Sequence, residues 1–358
     1  MPEPANLGPM ARRAAGALGL GESYWPWLRF LEGADGPGPE ASLDAGDAAR
    51  LLERLGCGRK AVADAIATFP DPERDPERLW LIERCRRRLV AAIGDLDAEL
   101  ERLPVLPATL ALAGSCFPIH VFVATVPAVR AWHAARGVPD DVSWATLADL
   151  GRHVAIEERI SGQTGVDAPW WMMLHVRGAI FETGALQYAP YHTGGPGSPS
   201  PWYDEEAALR LGPGFLPGDL GFGIHIPEGA PLDRQSCLDS MRRAGQLFDH
   251  LFGEVLSSQG RRLATCSSWL LDDQLAAYLP DESNIVSFQR MFQLVPGWGQ
   301  ADDSVLTFVF RNQGVPPDIG HAKTRLQRGV LAHLSGGGHF RWRTGWCDLP
   351  PWGASPLG

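Results

Sequence analysis

Residues able to do polar or nucleophilic chemistry gather between positions 220 and 272 of the chain. In residues 220–226 (LGFGIHI) the side chains alternate: Phe222, Ile224 and Ile226 share one face, and Gly221, Gly223 and His225 the other. Imidazole titrates near neutrality, so His225 at the end of such a strand is a candidate general base; a histidine satisfied at a strand end is the structural alternative. Glycine weakens a strand and lets another group approach its backbone, so two on the His225 face need a reason. A second short strand, 261–267, runs into Ser267-Ser268-Trp269. Hydroxyls there could hydrogen-bond a ligand or cap the next helix, with Asp272 competing for the cap. Cys266 adds a thiol, which with His225 as base and Asp272 as orienter would be a cysteine nucleophile. Alternation sets Cys266 on the face opposite Ser267, and free cysteine in a strand is usually inert core.

The elements that must position these residues fall into two halves. Helical periodicity covers 45–55, with Gly56 as its stop, then 76–100 from Pro76, 120–136 and 143–159. Ser143 could cap the last of these, near Asp140 and Asp141. The arginine-rich stretch 84–88 reads as a solvated helix face. From residue 170 the pattern becomes β-prone: 170–176 (WWMMLHV) and 179–188 (AIFETGALQY) read as a hairpin around Arg177-Gly178. The Pro-, Gly- and Ser-rich stretch 189–201 reads as a mobile loop. After the strand 220–226 come a helix over 231–252, the strand 261–267, helices over 272–279 and 284–292, a strand over 303–311, a helix over 324–334 stopped by glycines 336–338, and a strand over 339–346. The order β-β-β-α-β-α-β-α-β predicts a mixed sheet. The expected fold is α+β: an extension over 1–43, a helical domain over 44–165, a sheet domain over 166–348 and a tail over 349–358.

Composition excludes several classes. The chain has 358 residues, 45% hydrophobic and 21% charged, an ordinary globular mixture. A formal net charge of −10 argues against a broad nucleic-acid face. The six cysteines form no CxxC pair and no zinc-type cluster with histidine, so no metal is expected. Gly194-Gly195-Pro196-Gly197 lacks the lysine and helix of a phosphate loop. No leader is visible and no run approaches the length of a membrane span, so a cytoplasmic protein with reduced thiols and no membrane partner is expected. The 13 tryptophans exceed ordinary usage, and Trp170, Trp171, Trp202, Trp269, Trp298, Trp342 and Trp346 would line a core or a pocket of the second half.

Three stretches carry a resemblance to a family. They are Gly223-Ile224-His225-Ile226-Pro227 with Gly229 and Pro231-Leu232; Thr265-Cys266-Ser267-Ser268-Trp269-Leu270-Leu271-Asp272; and Ser283-Asn284-Ile285 with Phe288-Gln289-Arg290-Met291-Phe292. They resemble bacterial acyltransferases that join a helical N-acyltransferase N-terminal domain to a GNAT-like C-terminal domain. Arg177-Gly178, Leu186-Gln187-Tyr188 and Arg343-Thr344-Gly345-Trp346 resemble its hairpin and last strand. The likeness spans roughly residues 45–348. It implies transfer of an acyl group from acyl-CoA, or another acyl-pantetheine thioester, to a small-molecule amine, in a slot between two splayed parallel strands. A non-catalytic binding or sensor module of the same fold is the alternative, and a homodimer stays open. The slot would lie between the strands 220–226 and 261–267, with His225 as base and Ser267 near the departing thiol. Ile224, Ile226, Gly229, Arg234, Ser268, Trp269 and Asn284 would bind the thioester. For Trp269 plain core, and for Asn284 a bracing role, are the alternatives. The sequence departs from the GNAT pattern in two places. The turn expected to cradle a pyrophosphate is Pro227-Glu228-Gly229-Ala230-Pro231-Leu232-Asp233, poor in N–H donors and carrying two carboxylates. The usual first strand is not evident before residue 170.

Overall fold

The computed structural model describes residues 7–33, 43–98, 101–195, 198, 205–310 and 322–350. The chain divides into two compact units, Met1–Phe181 and Glu182–Gly358.

Helices build the first unit: α1 (Pro9–Leu18), α2 (Trp25–Glu32), α3 (Ala45–Arg54), α4 (Arg59–Ala67), α5 (Pro76–Ala91), α6 (Ala111–Ser115), α7 (Phe117–Ala135), α8 (Asp140–Leu147), α9 (Asp149–Ser161) and α10 (Pro169–Val176). The start of α3 is fixed by Asp44, whose carboxylate accepts the Asp47 N–H. α5 stops at Ala91 rather than near residue 100, and Gly94 follows in the left-handed region at φ +83°. Its arginine run is not a solvated face. Arg86 is buried, and its Nε and guanidinium nitrogen donate to the two oxygens of Glu83 at 2.7 and 2.8 Å. The expected helix over 143–159 is two helices meeting at Ala148. Ser143 caps neither; it is buried within α8, its hydroxyl 2.7 Å from His133 Nδ1.

The stretch 170–176 is the largest correction in this unit, being helix α10 and not a strand. Pro169 occupies its first turn, and Met172, Met173 and Val176 enter the core. An unbroken apolar run carries no period, so its chemistry suits a buried helix as well as a strand. A further correction concerns apolar length. The helical run Ala108–Ala135, of 28 residues, is long and apolar enough to cross a membrane by length and composition. In this structure its α7 portion is the central core helix, with Phe117, Phe122, Val126 and Val129 packed in the main apolar cluster.

The second unit is organised on a mixed sheet of six strands: β1 (Phe181–Glu182), β2 (Gln187–His192), β3 (Leu220–His225), β4 (Leu263–Ser268), β5 (Gln293–Gln300) and β6 (Arg341–Asp348). Their spatial order is β1-β2-β3-β4-β6-β5. The turn between β1 and β2 falls at residues 183–186, closed by the Thr183 N–H donating to Leu186 O at 3.2 Å, not at Arg177-Gly178. β2 reaches His192, so the expected loop over 189–201 begins later; residues 196, 197 and 199–201 of it lie outside the described residues.

Helices α11 (Glu205–Leu211), α12 (Arg234–Gln259), α13 (Asn284–Gln289), α14 (Asp302–Phe310) and α15 (Arg325–Ser335) complete the unit. α12 covers one face of the sheet: Phe222 of β3 stacks on Phe248 at 4.1 Å between centroids and 8° between planes. The helix expected over 272–279 is a 3-10 turn, Asp273–Ala277. The strand expected over 303–311 is helix α14, which starts at Asp302 and Asp303 and buries Val305 and Leu306; Arg311 lies outside the described residues. β5 escaped the sequence reading because Pro296 and two glycines interrupt it. It is an edge strand with a register shift between Leu294 and Trp298, where proline is tolerated.

Candidate active site

β3 and β4 run parallel, so their C-terminal ends lie at the same end of the sheet. Their pairing is short. Phe222 lies opposite Ala264 and Gly223 opposite Thr265, and the ladder between them goes no further. Both strands nevertheless continue. β3 stays paired with β2 as far as Gln187 opposite His225, and β4 stays paired with β6 as far as Ser268 opposite Arg343. The outer edges are held while the β3–β4 ladder ends, which leaves an opening in the ladder between 224–225 and 266–268. Unpaired strand edges present N–H and C=O groups to an extended partner.

The registers place Gln187, Ala189 and Tyr191 of β2, Gly221, Gly223 and His225 of β3, Thr265 and Ser267 of β4, and Thr344 and Trp346 of β6 on one face. This face is polar near the opening. Ser267 Oγ lies 2.7 Å from Thr344 Oγ1, and Tyr191 Oη 2.9 Å from Thr265 Oγ1. Gln187, buried, donates from Nε2 to Glu182 Oε2 at 2.9 Å. The two β3 glycines are explained by side-chain room. A Cβ on Gly221 would lie 2.5 Å from Tyr191 Cζ, and one on Gly223 would lie 3.3 Å from His225 Nε2. Gly221 therefore seats the Tyr191 ring, and Gly223 gives the imidazole its place over the strand.

The remaining sequence candidates scatter. Ile224 is buried on the α12 side of the sheet, and Ile226 follows β3, half-buried. Gly229 occupies an exposed turn at φ +79°. Arg234 is the exposed first residue of α12. Ser268 is a cap, its Oγ accepting the Leu270 N–H at 3.1 Å. Trp269 packs with Leu275, Val305, Val330 and Phe340 in a separate apolar cluster. Asn284 is exposed at the start of α13, whose cap is Ser283. Asp272 is buried and accepts the Arg341 N–H at 2.7 Å and Gln274 N–H at 3.1 Å, a joint between the Ser268–Asp272 turn and β6.

Two chemistries lose support. Cys266 is buried on the α12 side and burial drives its thiol far above the ordinary range, so it holds no thiolate for nucleophilic attack. The N-terminus of α12 is occupied by Asp233, whose carboxylate accepts the Ser236 N–H at 3.0 Å. The Ser236 side chain and N–H hold that carboxyl below its usual range, so it stays charged where a phosphate would need donors. Among the described residues no cluster of histidine, cysteine and carboxylates could hold a metal ion. Tyr191, Thr265 and Thr344 were missed by sequence reasoning. Thr265 could have been found from its alternation with Ser267, whereas Thr344 needed the β4–β6 register.

A parallel pair that parts over a polar face, backed by one long helix, is the arrangement of a GNAT-like transferase. Residues 46–178 match the N-acyltransferase N-terminal domain and residues 180–347 the GNAT-like C-terminal domain. A solved acyltransferase in complex with decanoyl-CoA and teicoplanin is 36% identical, with a TM-score of 0.80, covering 95% of this chain and 99% of that one. Another, in complex with CoA and 10C-teicoplanin, is 35% identical with the same TM-score and coverage. A third, in complex with decanoyl-CoA, is 36% identical, again with TM-score 0.80 and the same coverage. Comparison with functionally curated proteins finds no match. The chain belongs to the acyltransferase family that joins an N-acyltransferase N-terminal domain to a GNAT-like C-terminal domain.

Proposed function

We propose that this chain moves an acyl group from acyl-CoA to an amine on a small-molecule acceptor, in the opening between β3 and β4. The observation that carries the reading is the loss of rungs after Gly223 and Thr265, with His225 and Ser267 on one face beyond it. The pantetheine arm, with its two amides, suits inner edges where the β3–β4 ladder has ended. The amine nitrogen attacks the thioester carbonyl carbon and the C–S bond breaks. His225 takes the proton that the amine loses, and the Ser267 hydroxyl donates to the departing sulfur. The products are an amide and free CoA. Relatives that hold decanoyl-CoA with teicoplanin, or CoA with 10C-teicoplanin, support a long acyl donor and a glycopeptide-sized acceptor. The charged Asp233 cap argues that the CoA diphosphate is not held at the α12 N-terminus.

The test is thiol release from octanoyl-CoA and decanoyl-CoA, with teicoplanin, glucosamine and butylamine as acceptors. Thiol should appear in step with acylated amine, and His225→Ala should lower kcat by about 10²–10³-fold. Absence of both thermal stabilisation by an acyl-CoA and thiol release with every acceptor would sink the proposal. Stabilisation without thiol release on every acceptor would favour a binding module instead.

A further inference from the structure

The pair of hydroxyls at the opening has a direction. Thr344 is 1% exposed, whereas Ser267 is half-buried. Among the described residues the Thr344 hydroxyl has one side-chain partner, Ser267 Oγ at 2.7 Å. A buried hydroxyl whose proton finds no acceptor is costly, and water does not reach Thr344. Either hydroxyl could donate across this contact, and the arrangement that satisfies the buried one has Thr344 donating to Ser267 Oγ. That fills one lone pair of Ser267 and leaves the serine's own O–H to point away from β6. β6 lies on the far side of β4 from β3, so the directions left to that proton are off the sheet face and toward the opening.

We infer that Thr344 is a positioning residue for thiol departure: it orients Ser267 so that the serine proton faces the sulfur of the breaking C–S bond. The inference rests on the acyl-transfer reading above. In the balanced step the C–N bond forms as the C–S bond breaks, the amine proton goes to His225, and the electron pair left on sulfur is met by the Ser267 O–H. Thr344 transfers nothing; its donated hydrogen bond fixes the rotamer and makes the Ser267 proton more acidic. Without the Thr344 hydroxyl, Ser267 has no side-chain hydrogen bond among the described residues to fix its rotamer.

The experiment compares wild type, Thr344→Val, Thr344→Ser and Ser267→Ala on two donors, decanoyl-CoA and S-phenyl thiodecanoate, with the best acceptor of the panel above. Aryl thiolates, being weaker bases, depend less on an acid for their departure than alkyl thiolates do. With decanoyl-CoA, Thr344→Val should lower kcat by about tenfold, with KM changed less than about twofold. Thr344→Ser should recover wild-type kcat to within about threefold, because the hydroxyl returns. With the phenyl thioester, the Thr344→Val and Ser267→Ala losses should both shrink to about twofold or less. Valine keeps the β-branched shape that suits a strand, and the melting temperature of each variant checks that the fold survives. Equal loss on both donors would show a structural role and overturn the inference. So would full activity of Ser267→Ala on decanoyl-CoA, with acyl transfer itself intact. Wild type releasing no thiol from either donor would instead remove the acyl-transfer reading, and the inference with it.

Discussion

Gly221→Ala tests the geometry of the sheet beside the opening. The new Cβ would lie 2.5 Å from Tyr191 Cζ and 2.6 Å from its hydroxyl oxygen. Carbon atoms rest about 3.5–4.0 Å apart, so the ring must retreat by about 1.0–1.5 Å. Tyr191 is 3% exposed, and its hydroxyl is held 2.9 Å from Thr265 Oγ1, so such a retreat breaks that bond. Overpacking costs about 1–3 kcal/mol and a lost buried hydrogen bond about 1 kcal/mol, together about 3 kcal/mol. For a unit of this size that lowers the melting temperature by about 6–12 °C. The assay is thermal unfolding of wild type, Gly221→Ala, Tyr191→Phe and the double variant. The hydroxyl is lost once only, so the double variant should be about 1 kcal/mol more stable than the two single losses added together. Because Thr265 pairs with Gly223 on the last rung before the strands part, kcat should fall as well. A Gly221→Ala protein melting within about 1 °C of wild type would refute this account of the β3 glycines.

Three other outcomes are expected. Burial drives His120 and His133 down to about 4, from an ordinary 6.5. The unfolded chain thus binds protons first, and the stability present above pH 6.5 is lost as pH falls toward 4, by roughly 2 kcal/mol per histidine between pH 7 and 5. Urea unfolding at the two pH values should show a flatter dependence for His120→Gln, and an unchanged slope would contradict its burial as a neutral ring. Cys266→Ala should keep most of the transfer activity, and Cys266 in the native protein should resist a thiol reagent; loss of turnover with the fold intact would restore the cysteine mechanism. Trp269→Ala should destabilise by about 3–5 kcal/mol without shifting the preferred acyl length, which steady-state rates on C4 to C12 acyl-CoAs would check.

Sequence patterning resolved those elements whose two faces differ. The alternation in 220–226 and the amphipathic period in 45–55 and 325–334 each place apolar groups on one side, and the helix and strand boundaries follow closely. At α15 even the cap is local chemistry: Thr324 and Gln327 form a reciprocal capping box. Where apolar residues run nearly unbroken, as in 170–176 apart from His175 and 305–310 apart from Thr307, both periods fit. Tertiary surroundings then chose helix, with prolines or aspartates at the N-termini as the overlooked local signal.

The chemistry divides the same way. His225 and Ser267 were legible as strand-end groups, because alternation and spacing are properties of the chain itself. That they share one face, at one end of a parallel pair, depends on registers between segments about 40 residues apart. Still less local are the Tyr191 ring over Gly221, the Thr344 hydroxyl under Ser267, and the parting of β3 from β4. These follow from which strands lie side by side. The sequence by itself determined the residue types, their order and their alternating faces. The tertiary structure decided which of them meet, because contacts across a sheet are set by strand order and register rather than by distance along the chain.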